Sequence, residues 1–132
     1  MKLTLLKPQF YRYELQPDNW IEQLPDGTRR PVSGLRGLYV RVNGIQDAMG
    51  IMYLCPRCFT ANDGRVGTHQ ILNWSKTAGT PDDADPKGRW VLRGTGYDDL
   101  TLDAEPGRTR SVLLIGGCAW HGYITNGEVT DA

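Results

Sequence analysis

The sequence lacks several features by which common protein classes are recognised. It has only three cysteines, its net charge is zero, and no apolar run is long enough to cross a bilayer. An odd cysteine count argues against the disulfide framework of a small secreted domain. Zero net charge removes the general attraction to nucleic acid or membranes that a basic surface provides. The apolar stretch at Leu3–Leu6 stops at Lys7 and Pro8, too short for a signal peptide. We therefore expect a protein of a reducing compartment, the cytoplasm, with no membrane contact.

Long helical periods are also missing. No stretch keeps a helical repeat of apolar residues for more than about two turns. Short alternating segments bounded by Gly or Asn-Gly recur instead, and they predict strands at 38–42, 51–54, 68–74, 90–93, 97–102, 111–115, 123–125 and 128–130, with a weak edge strand at 2–6. The fold class predicted is mostly β, a small domain of antiparallel sheets and β-hairpins with little helix.

The chain length fits a single domain over residues 1–132. Within it, residues 1–36 are expected to form an N-terminal strand and an arm rich in proline and aromatic residues, and residues 37–132 the β core. An Asp26-Gly27 turn signal lies between prolines, which disfavour regular structure on both sides. Residues 75–88 contain two prolines and two glycines and predict a long loop.

Two short motifs contain every cysteine of the chain. They are Cys55-Pro56-Arg57-Cys58 and Cys118-Ala119-Trp120-His121. Pairs of the form C-x2-C and C-x2-H commonly supply the four tetrahedral ligands of a structural zinc ion. We therefore predict one closed, zinc ribbon-like site formed by Cys55, Cys58, Cys118 and His121. The strand pattern on either side of the first motif places it at the tip of a hairpin.

Three alternatives compete with this site. An iron–sulfur cluster could use the same ligands, although a Rieske centre needs a histidine in both motifs. A catalytic zinc keeps an open position for water, and four protein ligands leave none. His69 could replace His121 as ligand, but its isolated position favours a packed or surface residue.

Other catalytic signatures are absent. There is no glycine-rich phosphate loop, no nucleophile elbow and no zinc-deaminase pattern. Asp98 and Asp99 are better explained as a polar turn entering a strand than as paired acid–base groups. The sequence therefore favours a protein that is not an enzyme.

The arginines and tryptophans of the chain could form a surface on which single-stranded nucleic acid stacks. The equal number of acidic and basic residues favours ordinary ion pairs or a protein interface instead.

The stretch from Cys118 to Val129 resembles a family of small uncharacterised proteins of tailed phages and prophages. The resemblance extends to the Cys55-Pro56-Arg57-Cys58 motif, the strand at Trp90 and Asp98-Asp99-Leu100-Thr101-Leu102, and it covers roughly residues 50–130. Family members tend to continue the last motif with Pro-Ser, where this chain has Asp103-Ala104. The resemblance implies a phage origin and metal binding, without a known activity. The oxygenase name of some relatives has no support here, because no facial triad or copper-ligand set is present.

Taken together, these observations predict a non-catalytic, zinc-stabilised accessory protein of a phage. It would act in the bacterial host cytoplasm or in the virion through contacts with virion proteins or with itself. The alternative is a cytoplasmic effector or regulator that binds nucleic acid or a host protein through the zinc ribbon-like surface. A metal-dependent enzyme ranks third.

Overall fold

Antiparallel strands dominate the computed structural model, which describes residues 1–76, 89–105 and 108–132. Strands account for 52% of the described residues and helices for 12%, which confirms the mostly β class with little helix. Residues 77–88 of the predicted loop at 75–88 lie outside the described residues. The described elements are β1 (Gln9–Gln23), β2 (Arg29–Val42), β3 (Gly50–Leu54), α1 (Pro56–Asn62), β4 (Gln70–Trp74), β5 (Val91–Arg93), β6 (Thr101–Glu105), β7 (Arg108–Thr109), β8 (Val112–Leu113), β9 (His121–Thr125) and β10 (Glu128–Asp131), with 3-10 turns at Leu3–Leu6 and Ile45–Asp47.

These strands form three antiparallel sheets. The largest has the order β2-β1-β3-β4, and the two smaller sheets have the orders β10-β9-β8 and β5-β6-β7. β1 pairs with β2 from Phe10 to Gln23 but with β3 only at Gln9, Phe10 and Tyr11. Residues 12–41 therefore form a two-stranded extension of the large sheet, called the hairpin extension below.

One hydrophobic cluster draws on all three sheets, because alternate residues of each strand face inward. Its members are Leu3, Leu6, Phe10, Ile51, Tyr53, Leu54, Cys55, Ile71, Trp90, Leu100, Leu102, Val112, Trp120, Ile124 and Val129. A buried hydrogen bond also lies in the large sheet, where the Tyr53 hydroxyl donates to Asn73 Oδ1 at 2.6 Å. Cys55 belongs to this cluster, so the metal-ligand motif starts from the core rather than from a surface loop.

The hairpin extension differs from the loop-like arm expected at residues 8–31. The Asp26-Gly27 turn is present, with Gly27 at φ +85°, but strand pairing continues through Pro17 before the turn and Pro31 after it. Pro17 lies opposite Leu35 and Pro31 lies opposite Ile21. Proline is tolerated here because each strand of a two-stranded ribbon has a free edge, where a missing N–H breaks no ladder bond.

The N-terminus also differs from the expected edge strand at 2–6. Residues Leu3–Leu6 form a 3-10 turn that buries Leu3 and Leu6 in the core. Three residues make one turn of a 3-10 helix, so these two leucines lie on the same side. Lys2 contributes only an isolated bridge to Glu128.

Two sequence signals at the C-terminus agree with the structure. Asn126 and Gly127 adopt positive φ and connect β9 to β10 as a tight turn. The turn is tied to the core, because Gly127 N–H donates to Leu100 O and Gly127 O accepts from Leu3 N–H, both at 2.8 Å.

None of the helices in the described ranges has the length and apolar character needed to span a membrane.

Candidate metal centre

Four side chains from distant parts of the sequence meet at one end of the large sheet. The ligand atoms of Cys55, Cys58, His69 and Cys118 all lie within 4.8 Å of one another. Cys118 Sγ is 3.4 Å from Cys55 Sγ and 3.3 Å from His69 Nε2. The cysteines are free thiols, so this proximity is not a disulfide.

The spacing fits a single tetrahedral ion. With bonds of about 2.3 Å to sulfur and about 2.0 Å to nitrogen, zinc would hold its ligand atoms roughly 3.5–3.8 Å apart. The observed separations require only small side-chain movements to reach that arrangement. Four protein ligands fill a tetrahedral coordination sphere, as in structural sites, and leave no position for a catalytic water.

β3 and α1 position the first two cysteines. Cys55 follows the last residue of β3 and is the N-cap of α1, and Pro56 is the first helical residue. Proline suits this position because its fixed φ matches the helix and its missing N–H would be unpaired there anyway. One turn of helix then returns Cys58 to the side of Cys55. The helix itself was not expected from the sequence, since seven residues are too few to show a helical period.

β4 brings His69 to the site. Leu54 pairs with Gln70 in the β3–β4 ladder, and Cys55 N–H donates to His69 O at 2.9 Å. His69 therefore lies directly across from Cys55. Its Nδ1 lies 3.3 Å from Gln70 O, a contact that orients Nε2 toward Cys118.

A tight turn presents Cys118. Gly116, Gly117 and Ala119 all have positive φ, and Ala119 N–H donates to Gly116 O at 3.0 Å. Arg57 Nη1 of α1 donates to Cys118 O at 2.8 Å. This hydrogen bond connects the helix that carries Cys58 with the turn that carries Cys118.

The environment of the centre shifts the pKa values of Cys118, His69 and Cys55. The hydrogen bond with His69 lowers the pKa of the Cys118 thiol to about 6 and raises the pKa of His69. Burial raises the pKa of the Cys55 thiol to about 12. The metal-free site therefore favours a Cys118 thiolate beside a neutral Cys55 thiol. Metal binding must release the Cys55 proton, so affinity should fall as the pH is lowered.

The structure brings together three of the four residues predicted from the sequence and places His69, rather than His121, beside them. His121 begins β9 opposite Leu113, is exposed, and has its ring centroid 6.5 Å from that of Tyr123. The reason lies in the residue before it. Trp120 is fully buried, with its Nε1 donating to Asp131 Oδ1 at 2.8 Å, and strand alternation then turns His121 outward.

A signal for His69 was present in the sequence. The predicted strands at 51–54 and 68–74, paired as a hairpin with the C-x2-C motif at its tip, already place residue 69 near Cys55. The regular C-x2-H spacing of the second motif favoured His121 instead.

Comparison of the chain with known proteins found no matching protein family, no similar curated protein and no similar solved structure.

Proposed function

We propose that this protein is a non-catalytic, zinc-stabilised accessory protein of a phage that acts through contacts with another protein, as a component of the virion or of its assembly. It would be made in the cytoplasm of the bacterial host. The observation that carries the proposal is the exposed apolar face of the hairpin extension. The resemblance to small proteins of tailed phages favours the phage setting.

Zinc is the ion that the ligand set suits best. Three thiolates and one imidazole are a common structural zinc set, and all four ligand atoms lie within 4.8 Å, close enough to surround one ion. The ligands of an iron–sulfur cluster are distributed over more than one iron and stand farther apart. Native mass spectrometry of the untagged protein should show one zinc ion per chain. Iron with sulfide, or no metal in protein purified without chelators, would contradict the assignment.

One face of the hairpin extension is largely apolar. Strand alternation puts Leu15, Ile21, Leu35 and Tyr39 on the same face, where they are 59%, 63%, 68% and 54% exposed. Isolated exposed apolar residues are normal, but a row of them along one face marks an interaction surface. Near the base of the extension, Tyr39 and Tyr13 pack against Trp74 of β4, which fixes the direction of the hairpin.

The charges on this face favour a partner of different sequence over a second copy. The other residues of this face include Arg29 near the tip and Arg41 at the base, and no acidic residue. A two-fold pairing of this face with itself would put arginine against arginine whichever way the two hairpins run. We therefore propose a protein partner with an apolar surface bordered by carboxylates.

Introducing a charge on this face tests the proposal. Leu35→Asp should reduce the amount of the protein in purified virions of the encoding phage at least tenfold, as measured by quantitative mass spectrometry. Gln16→Asp is the matched control, because it adds the same charge to the opposite face of the hairpin. Both variants should keep the wild-type melting temperature. Wild-type protein that co-purifies with neither virions nor their assembly intermediates, or a stable homo-oligomer disrupted by Leu35→Asp, would overturn the assignment.

A further inference from the structure

A concave pocket lies on the outer face of the large sheet, beside the base of the hairpin extension. Its volume is about 340 Å³. Three cations line it, namely Lys7, Arg41 and Arg65, and no acidic residue does. The remaining lining residues are Pro8, Gln9, Tyr11, Met52, Leu54 and Gln70.

None of these three cations has a carboxylate partner within the described residues, so their charges remain available to a ligand. Arg12, Arg30 and Arg93 each pair with a nearby acid. Lys7, Arg41 and Arg65 come from three separate parts of the sequence, and the fold gathers them around one pocket. In a protein with equal numbers of acidic and basic residues, this pocket thus collects three positive charges and no negative one.

The backbone at Lys7 supplies a second observation. Lys7 has φ 52° and ψ 53°, in the left-handed region. Residues with a β-carbon adopt this conformation at a cost of roughly 1–2 kcal/mol, whereas glycine does so freely. Lys7 is the C-cap of the 3-10 turn at Leu3–Leu6, a position that glycine often occupies. A lysine at a position that favours glycine is consistent with a use for its charge, and the Lys7→Gly variant described below tests this use.

We propose that this pocket binds the phosphate ester of a nucleotide, either free or within single-stranded nucleic acid. Arginine presents a planar fork of N–H donors that matches phosphate oxygens, and lysine adds a compact charge. The Gln70 amide and the Tyr11 hydroxyl provide neutral donors at the same wall. Met52 and the buried Leu54 form an apolar wall against which a base can lie. The volume falls in the range of small-molecule sites.

This pocket adjoins the apolar face on which the proposed function depends, and the two surfaces share Arg41. The pocket residues include none of Leu15, Ile21 and Leu35. Leu35→Asp and Arg65→Gln therefore test the two proposals separately, since Leu35 lies outside the pocket and Arg65 lies outside the hairpin extension.

Binding of labelled single-stranded DNA and RNA to the full metal-loaded chain tests the inference by fluorescence anisotropy at several salt concentrations. Three phosphate contacts predict a slope of log affinity against log salt of about −2, since each contact contributes roughly −0.7 on single strands. Arg41→Gln or Arg65→Gln should weaken binding about three- to tenfold and reduce the slope to about −1.4. Arg36→Gln is the control, because Arg36 lies on β2 like Arg41 but on its opposite face.

A substitution at Lys7 separates a binding role from a structural one. Lys7→Gly removes the cation and the backbone strain together, so it should raise the melting temperature while weakening binding at least threefold. Loss of binding in a destabilised variant would instead indicate a structural role and count against the inference.

Competitors identify the source of the phosphate. A mononucleotide that displaces the probe indicates a free nucleotide ligand, whereas displacement by oligonucleotides alone indicates nucleic acid, and both results support the proposal. An acidic peptide that competes as well as the oligonucleotide would overturn it, as would equal affinities for the Arg41, Arg65 and Arg36 variants.

Discussion

Replacement of His69 by glutamine separates the two histidines that could complete the metal centre. Glutamine keeps a similar length but removes the imidazole nitrogen that lies 3.3 Å from Cys118 Sγ. His121→Gln is the matched control, since His121 is exposed on β9. We expect the first variant to lose affinity for zinc and the second to bind zinc like the wild type.

The size of the effect follows from the number of ligands. Structural zinc sites bind with apparent free energies of about 10–16 kcal/mol at neutral pH. If four ligands share this roughly equally, loss of His69 costs about 2.5–4 kcal/mol, or about a hundredfold to a thousandfold in affinity. Because binding also stabilises the fold, the melting temperature should fall with it.

Competition against a chromophoric chelator measures the affinity directly. Substitution with cobalt adds a second readout, because the visible absorption of a tetrahedral site changes when a nitrogen ligand is lost. Weaker binding by His121→Gln together with wild-type binding by His69→Gln would refute the assignment. Wild-type binding by both variants would show that the ion is held by the cysteines alone.

Two further predictions concern the fold. Tyr53→Phe should lower the free energy of unfolding in urea by about 1–3 kcal/mol, because it leaves the buried Asn73 oxygen without a donor. The control is Tyr39→Phe, on an exposed ring, which should change the free energy of unfolding by less than about 0.5 kcal/mol. Equal effects of the two variants would contradict this explanation. Asp99→Asn should lower the melting temperature at pH 7, because hydrogen bonds from backbone N–H groups stabilise the Asp99 carboxylate and lower its pKa. The difference from the wild type should be constant above about pH 4, shrink below it, and vanish once the pH has fallen through the lowered pKa. Asp98→Asn is its control, and a destabilisation by Asp99→Asn that does not shrink at all as the pH is lowered below about 4 would exclude a role for the charge.

The strands were predictable where alternation was strong and turn residues were unambiguous. Leu38–Val42 alternates clearly, and it forms part of β2. The Asn126-Gly127 signal gave the β9–β10 hairpin because both residues tolerate positive φ. At these positions local conformational preference and tertiary structure agree, so the sequence alone is sufficient to predict the strand and the turn.

The hairpin extension was not predictable in the same way. Prolines at 17, 25 and 31 suggested a loop, since proline interrupts most sheets. Their tolerance depends on the strands having free edges, which is a property of the complete sheet. Likewise α1 is too short for a helical period, and its first turn is fixed by the Pro56 position and by the neighbouring core.

The metal centre was predictable in its cysteines and not in its histidine. The C-x2-C spacing of Cys55 and Cys58 indicates a local turn that brings both thiols to one side. His69 instead reaches the site through the pairing of β3 with β4. Trp120 decides the orientation of His121 through burial in the core, and neither effect can be derived from a C-x2-H spacing.

The distribution of the four ligands along the chain has a consequence for biosynthesis. Cys55, Cys58 and His69 all belong to the β3–α1–β4 hairpin, and Cys118 alone comes from the later part of the chain. The hairpin leaves the ribosome before Cys118 is made, so three of the four residues that would hold an ion are available first. Cys118 would complete the ligand set later and tie the C-terminal sheet to the hairpin. Nascent chains halted before Cys118 should therefore already retain the ion, more weakly than the complete protein.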